Sequence, residues 1–312
     1  MNPESSPECS VAPAIAASLL AVALAFAAIP GMAVPFTFST GSPDGKIATA
    51  SRPDGSGGIF EIESADDFVL TTQTSITHAT FTGLLVSPTG TLPSVGDVVV
   101  EIYRVFPKDS DVTRTSGPAI FSTSQVPTRV NSPSDVAFAG PGAPIPTDLS
   151  FTTSVLSTSF TAANSIRAGG IHAAPDQTTG GNGAVTGEEV LFDITFTDPL
   201  LLPADHYFFV PQVAVTGGDF YWLSAPKPIV PPGTPFPPGF TDLQSWTRDA
   251  NLDPDWLRVG TDIVGPSTTG GPAPTFNAAF SLDGATVPEP ATLALLGIAF
   301  AAIGLSRLRK VI

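Results

Sequence analysis

Between Arg248 and Trp256 the chain reads Arg-Asp-Ala-Asn-Leu-Asp-Pro-Asp-Trp, so Asp249, Asn251, Asp253 and Asp255 place oxygen-bearing side chains at alternate positions. A calcium ion takes about six to eight oxygen ligands, and alternating carboxylates and amides on a loop are one way to supply them. The helix–loop–helix version of such a site also needs a turn glycine and a closing bidentate Glu. Here Pro254 and Gly260 stand in those places. Two readings stay open: an irregular calcium loop, with calcium the one cofactor considered, or a group of turn formers at a helix exit. Asp66 and Asp67 raise a similar question. Adjacent carboxylates on a strand point to opposite sides and chelate together only across a bulge, so a turn or bulge at a strand entry is expected there.

Catalytic chemistry finds less support. The chain has three histidines, His78, His172 and His206, and none lies in a motif that would select it. It lacks H-E-x-x-H, G-x-S-x-G, a P-loop and G-x-G-x-x-G. Glycosidase chemistry needs two carboxylates about 5–10 Å apart, but 28 acidic residues always offer such a pair. No catalytic residue is assigned, and the expectation is a protein that is not an enzyme.

The C-terminal end is more specific. Pro288, Glu289 and Pro290 precede the apolar segment 291–306, and Arg307, Arg309 and Lys310 follow it. Those 16 apolar residues fall short of the ~20 that span a bilayer comfortably. The basic cluster would stay on the cytoplasmic side, leaving everything before Pro288 facing outward. Two prolines hold the backbone extended just outside the membrane. In its order of Pro-Glu-Pro, apolar segment and basic cluster, Val-Pro-Glu-Pro-Ala-Thr-Leu-Ala-Leu-Leu-Gly-Ile-Ala-Phe-Ala-Ala-Ile-Gly-Leu-Ser-Arg-Leu-Arg-Lys resembles the PEP-CTERM sorting signal of Gram-negative bacteria. The likeness covers residues 287–310 and nothing of the body. It implies an exosortase-type processing enzyme as partner, Pro288, Glu289 and Pro290 as its recognition motif, and transient insertion in the inner membrane. Delivery to the cell surface or extracellular matrix would follow.

Three segments follow from this: 1–33 as a signal peptide, 34–285 as the body and 286–312 as the sorting signal. Residues 11–33 form an apolar run of secretory type, and Gly31 and Ala33 offer a cut before Val34. The ten residues upstream contain Glu4 and Glu8 but no Lys or Arg, unlike an ordinary signal. Cys9 is the single cysteine, so no intramolecular disulfide can form. The segment 34–290 holds 10 basic and 26 acidic residues. Such a charge repels nucleic acid, which is excluded as a partner.

The body must be built from strands. Its 29 Gly and 33 Pro in 312 residues punctuate the chain too often for long helices. In Val-Leu-Phe-Asp-Ile-Thr-Phe-Thr-Asp, Val190, Phe192, Ile194 and Phe196 share one face, with Asp193 and Thr195 opposite. Phe276, Ala278, Phe280 and Leu282 alternate in the same way, and the apolar run from Val98 suits an interior strand. These strands point to an all-β body, a β-sandwich of jelly-roll type, with residues 35–40 beside the strand near residue 280. One short helix is expected over residues 240–250, where Thr241 and Gln244 have capping-box spacing. Residues 226–239 hold seven prolines and form a stiff excursion. Trp222, Phe236, Phe240 and Trp246 around it would either stack on sugar rings or pin the loop. The functional expectation is an exported surface or matrix protein with a structural or binding role. The alternatives are a secreted carbohydrate-binding module that meets extracellular polysaccharide, with calcium assisting, and a secreted hydrolase.

Overall fold

A computed structural model of the chain describes residues 33–55, 60–110, 130–167, 178–227, 236–249, 256–266 and 270–288. Its strands are β1 (Pro35–Ser39), β2 (Ile47–Ala50), β3 (Ile62–Leu70), β4 (Thr74–Val86), β5 (Ser94–Arg104), β6 (Leu149–Ala162) and β7 (Asn164–Ile166). They continue with β8 (Val185–Leu202), β9 (Asp205–Thr216), β10 (Asp219–Ala225), β11 (Trp246–Asp249), β12 (Leu257–Arg258), β13 (Asn277–Ala278) and β14 (Phe280–Thr286). Residues Pro35–Thr286 form one unit. The all-β expectation holds, and the strands divide into two sheets.

Strand β4 organises the larger sheet. Strand β8 pairs with it from Thr74 to Leu85, which fills one edge. The other edge is shared end to end: β14 pairs with Thr74–Phe81 and β10 with Gly83–Val86. Beyond β14 lies β1, with Phe38 opposite Leu282, so the first and last strands are neighbours as expected. Beyond β10 lies β2, then β7 in parallel; β6 flanks β8. Two glycines on these seams have no room for a side chain. A Cβ at Gly83 would overlap the Phe220 ring, and one at Gly284, beside a register shift, would overlap the Ser75 carbonyl. The smaller sheet runs β12-β11-β3-β9-β5.

The two sheets face each other across an aromatic core. Phe209 of the smaller sheet stacks on Phe280 of the larger one (5.1 Å, 10°) and meets Trp222 edge-on at 6.0 Å. Phe81 stacks on Phe192 at 4.8 Å. The residues expected to point inward, Phe192, Ile194, Phe196, Phe276 and Phe280, are all buried. Thr195 is exposed, and Asp193 lies on the outer face at 2.8 Å from His78. Burying each large apolar side chain contributes about 1.5–3 kcal/mol.

Two local expectations give way to tertiary pairing. Residues 240–250 form no helix among those described. Asp242 Oδ1 accepts the Gln244 N–H at 2.8 Å, Gln244 turns to a φ of 66°, and Trp246 opens strand β11 against Ala65 of β3. A local Asx turn thereby replaces the capping box, and Leu243 and Trp246 reach the core from a turn and a strand. Asp66 and Asp67 form no turn at a strand entry either. They lie in the middle of β3, fully buried and in regular register with Phe209 and Phe208.

Candidate functional site: two buried cations on one acidic strand

Strand β3, Ile-Glu-Ser-Ala-Asp-Asp-Phe-Val-Leu, is buried along its whole length although three of its nine residues are acidic. Burying a charge is costly unless it is paired and hydrogen-bonded. Two distant cations meet that demand.

The first is Lys227, two residues past the end of β10 within the proline-rich run. Its side chain is wholly buried. Strand β11 stops pairing at Ala65, and just beyond that point Lys227 Nζ donates to the Asp67 carbonyl oxygen at 3.0 Å. Nζ lies 2.9 Å from Asp67 Oδ1, 3.4 Å from both carboxyl oxygens of Asp66, and 3.8 Å from Asp242 Oδ1. Each carboxyl is held by further donors. Asp66 Oδ2 accepts the Ala278 N–H at 3.0 Å, and Asp67 Oδ2 accepts the Leu243 N–H at 3.2 Å. His206 Nε2 lies 2.6 Å from the same Asp67 oxygen. Asn277 donates to the Lys227 carbonyl at 2.6 Å and to Asp242 Oδ2 at 3.0 Å, tying the far side together. The Phe236 ring closes the top, 4.8 Å from Nζ.

These environments pull the carboxyls apart. Burial drives Asp66 well above the usual carboxylate range; Lys227 offsets only part of it, and Asp67 and Asp242 add to it. Burial would also raise Asp67, but the Lys227 charge and the His206 hydrogen bond outweigh it and hold Asp67 low. Burial raises Asp242 as well. Lys227 would be lowered by burial, yet the three acids around it leave it raised. Asp66 is thus pushed toward its acid form, while Asp67 and Lys227 are pushed toward their charged forms.

The second cation is Arg248 of β11. Its Nε bonds Glu63 Oε2, its NH2 donates to the Tyr103 hydroxyl at 2.9 Å, and its plane lies 4.4 Å from the Trp256 ring. The Tyr103 hydroxyl donates to Glu63 Oε1 at 2.6 Å and lies 3.1 Å from Glu101 Oε2. Gln212 Nε2 donates to the same Glu101 oxygen at 3.3 Å. Burial would raise Glu63, but Arg248 holds it low; burial, then the Glu63 charge, push Glu101 up to about 8. Glu61, Glu63 and Glu101 each present an oxygen within 4.8 Å of the others, close enough for one ion. The Arg248 guanidinium already supplies positive charge there.

The residues singled out from sequence fall elsewhere. Asp249 ends β11 with its side chain buried, while Asn251, Asp253 and Asp255 lie outside the described residues. Pro288 is half-buried two residues beyond β14; Glu289, Pro290, Arg307, Arg309 and Lys310 lie outside the described residues, as do the N-terminal apolar run and His172. Among the described residues no helix is long and apolar enough to cross a membrane. His78 bridges Asp193 at 2.8 Å and Asp283 at 3.6 Å on the outer face of the larger sheet. Trp222 and Trp246 are core residues, so they are not available to stack on a sugar; Phe236 sits over Lys227, and Phe240 is the exposed one. Sequence reasoning misses Lys227, Asp242 and Asn277. The available signal is a lone lysine set between prolines in an otherwise uncharged stretch.

An open groove of about 420 Å³ on the larger sheet is lined by Ser39, Thr80, Thr82, Ser281 and Glu189 together with the apolar Leu156 and Leu191. Its lining offers no exposed aromatic ring.

Residues 286–310 match the family model of the PEP-CTERM protein-sorting motif. No curated protein and no solved structure matches the chain.

Proposed function

From a chain that carries a PEP-CTERM protein-sorting motif at residues 286–310, we infer an exported surface or extracellular-matrix protein with a structural role and no catalytic one. The match to the motif is the observation that carries this reading. The fold adds a mechanical reason. The last strand ends at Thr286, so the motif begins where the sheet stops, and a processing enzyme would not have to unpick a strand to reach it. An exosortase-type enzyme would act at or near Pro288-Glu289-Pro290 while the segment 291–306 is inserted and Arg307, Arg309 and Lys310 remain inside. What supports a structural role is that β3 spends its charged groups inside the protein, where no outside molecule can use them. A jelly-roll-type order draws its support from the pairing of the first strand with the last.

Replacing Pro288-Glu289-Pro290 with three alanines frees the extended backbone and removes the carboxylate between the prolines. In a host carrying the sorting enzyme, unprocessed chain should then collect in the membrane fraction. Normal processing of that variant would overturn the assignment of the motif. The groove on the larger sheet, which carries serine and threonine beside leucine, favours one second reading, a polysaccharide-binding module. If calcium at Asp249, Asn251, Asp253 and Asp255 assists, its affinity for extracellular polysaccharide should fall with a chelator. Turnover on a panel of glycans and esters would instead favour a hydrolase.

A further inference from the structure

The chain has no cysteine pair with which to lock its body, yet a buried amine lies against a buried carboxyl where two sheets meet. Lys227 follows β10 of the larger sheet and Asp66 belongs to β3 of the smaller one. Nζ lies 3.4 Å from both oxygens of Asp66, so the amine and the carboxyl are in direct contact. Holding two reacting groups against each other makes their reaction effectively unimolecular, and such placement can supply much of a reaction's barrier. We propose that Lys227 and Asp66 join autocatalytically in an intramolecular amide that ties the two sheets together. The proposal is independent of the sorting reading.

The chemistry balances with groups already in place. Asp67 Oδ1, at 2.9 Å, takes a proton from the Lys227 ammonium and frees the nitrogen lone pair. The amine attacks Cγ of Asp66 and a C–N bond forms. Negative charge gathers on Asp66 Oδ2, where the Ala278 N–H at 3.0 Å receives it. The other Asp66 oxygen leaves as water, carrying the proton back from Asp67, as the C–O bond breaks. The second amine proton then passes to Asp67. Overall a carboxylic acid and an ammonium become an amide, one water and one proton, with no oxidant or cofactor. His206, at 2.6 Å from Asp67 Oδ2 and partly exposed, gives that proton a way to solvent. Burial pushes Asp66 toward the acid form that an amine attacks, and Asp67 is the base because its Oδ1 is the carboxyl oxygen nearest to Nζ. Phe236 over Nζ excludes water from the reacting pair.

The test is mass spectrometry of the purified full chain, followed by proteolytic mapping. The protein should weigh one water less than its sequence, and digestion should release a branched peptide joining Asp66 to Lys227. A Lys227→Met variant, processed identically at its ends, should have the full mass of the sequence between those ends. Since that variant can fail to fold, Asp66→Asn gives a second arm: it should lose one ammonia instead of one water and release the same branched peptide. Asp67→Asn, which removes the base, should leave most of the chain unlinked. Linear peptides carrying free Asp66 and free Lys227 from folded wild-type protein would overturn the proposal. A branch through Asp67 or Asp242 would overturn the assignment of the electrophile.

Discussion

Lys227 and Arg248 perform the same electrostatic task on the same strand, and their surroundings differ in an instructive way. Arg248 faces Glu63 with its fork engaged, one nitrogen on the carboxylate and another on the Tyr103 hydroxyl, and its plane packs on Trp256. A guanidinium does not lose its proton in a protein, so this pair can only be structural. Lys227 is a compact ammonium among three acids, and its shortest carboxylate contact is a potential proton acceptor. An ammonium can surrender a proton and become a nucleophile. One cation is committed to holding charge; the other sits where it can react.

Exchanging the cations is the sharpest way to break that comparison. Lys227→Arg keeps the charge and forbids the amide. Lys227 and Asp66 lie 161 residues apart. Closing so long a loop is worth on the order of 5 kcal/mol by chain entropy, and denaturant unfolding should report a loss of that order. A loss below about 1 kcal/mol would mean that no cross-link is lost with Lys227.

Arg248→Met comes next. It leaves Glu63 buried without its cation, and breaking a buried pair from one side costs about 3–5 kcal/mol. Arg248→Lys should restore only part of this, because a point charge cannot bond Glu63 and Tyr103 as a fork does. Full restoration by Lys would erase the distinction between the two sites.

The smallest effect is a pH dependence. Burial, then Glu63, hold Glu101 at about 8, above its unfolded value of 4.5. The folded chain therefore keeps a proton that the unfolded chain has released. The stability this gives is fully present below the unfolded value and is lost as pH rises through about 8. Glu61, also raised by burial, has the same sign, and Glu63, held low by Arg248, the opposite one at lower pH. Melting temperatures between about pH 5 and pH 9 should fall less steeply for Glu101→Gln than for wild type. Identical slopes would place Glu101 in an ordinary surface environment.

The frame of the body was legible because it follows from local alternation. Phe192, Ile194 and Phe196 point inward since a strand's side chains alternate, and that periodicity is visible without the fold. The buried charges were not legible, because their partners are remote. Lys227 lies 161 residues from Asp66, and Arg248 lies 185 from Glu63. Two consecutive aspartates look like a turn until a lysine from the other sheet reaches the strand edge. The expected helix at 240–250 failed for a related reason. Its capping residues were present, but Trp246 gained a strand partner in Ala65, and pairing with the core decided the conformation. The sorting motif was read directly, since its recognition depends on contiguous residues and not on a folded surface.

The most direct test of the surface-sorting account is C-terminal mass spectrometry of the protein extracted from the surface of a host that carries the sorting enzyme. The expected chain ends at or near Pro288-Glu289-Pro290, with Arg307, Arg309 and Lys310 gone. A surface form that still ends in Ile312 would contradict the account and leave the tail as a plain membrane anchor.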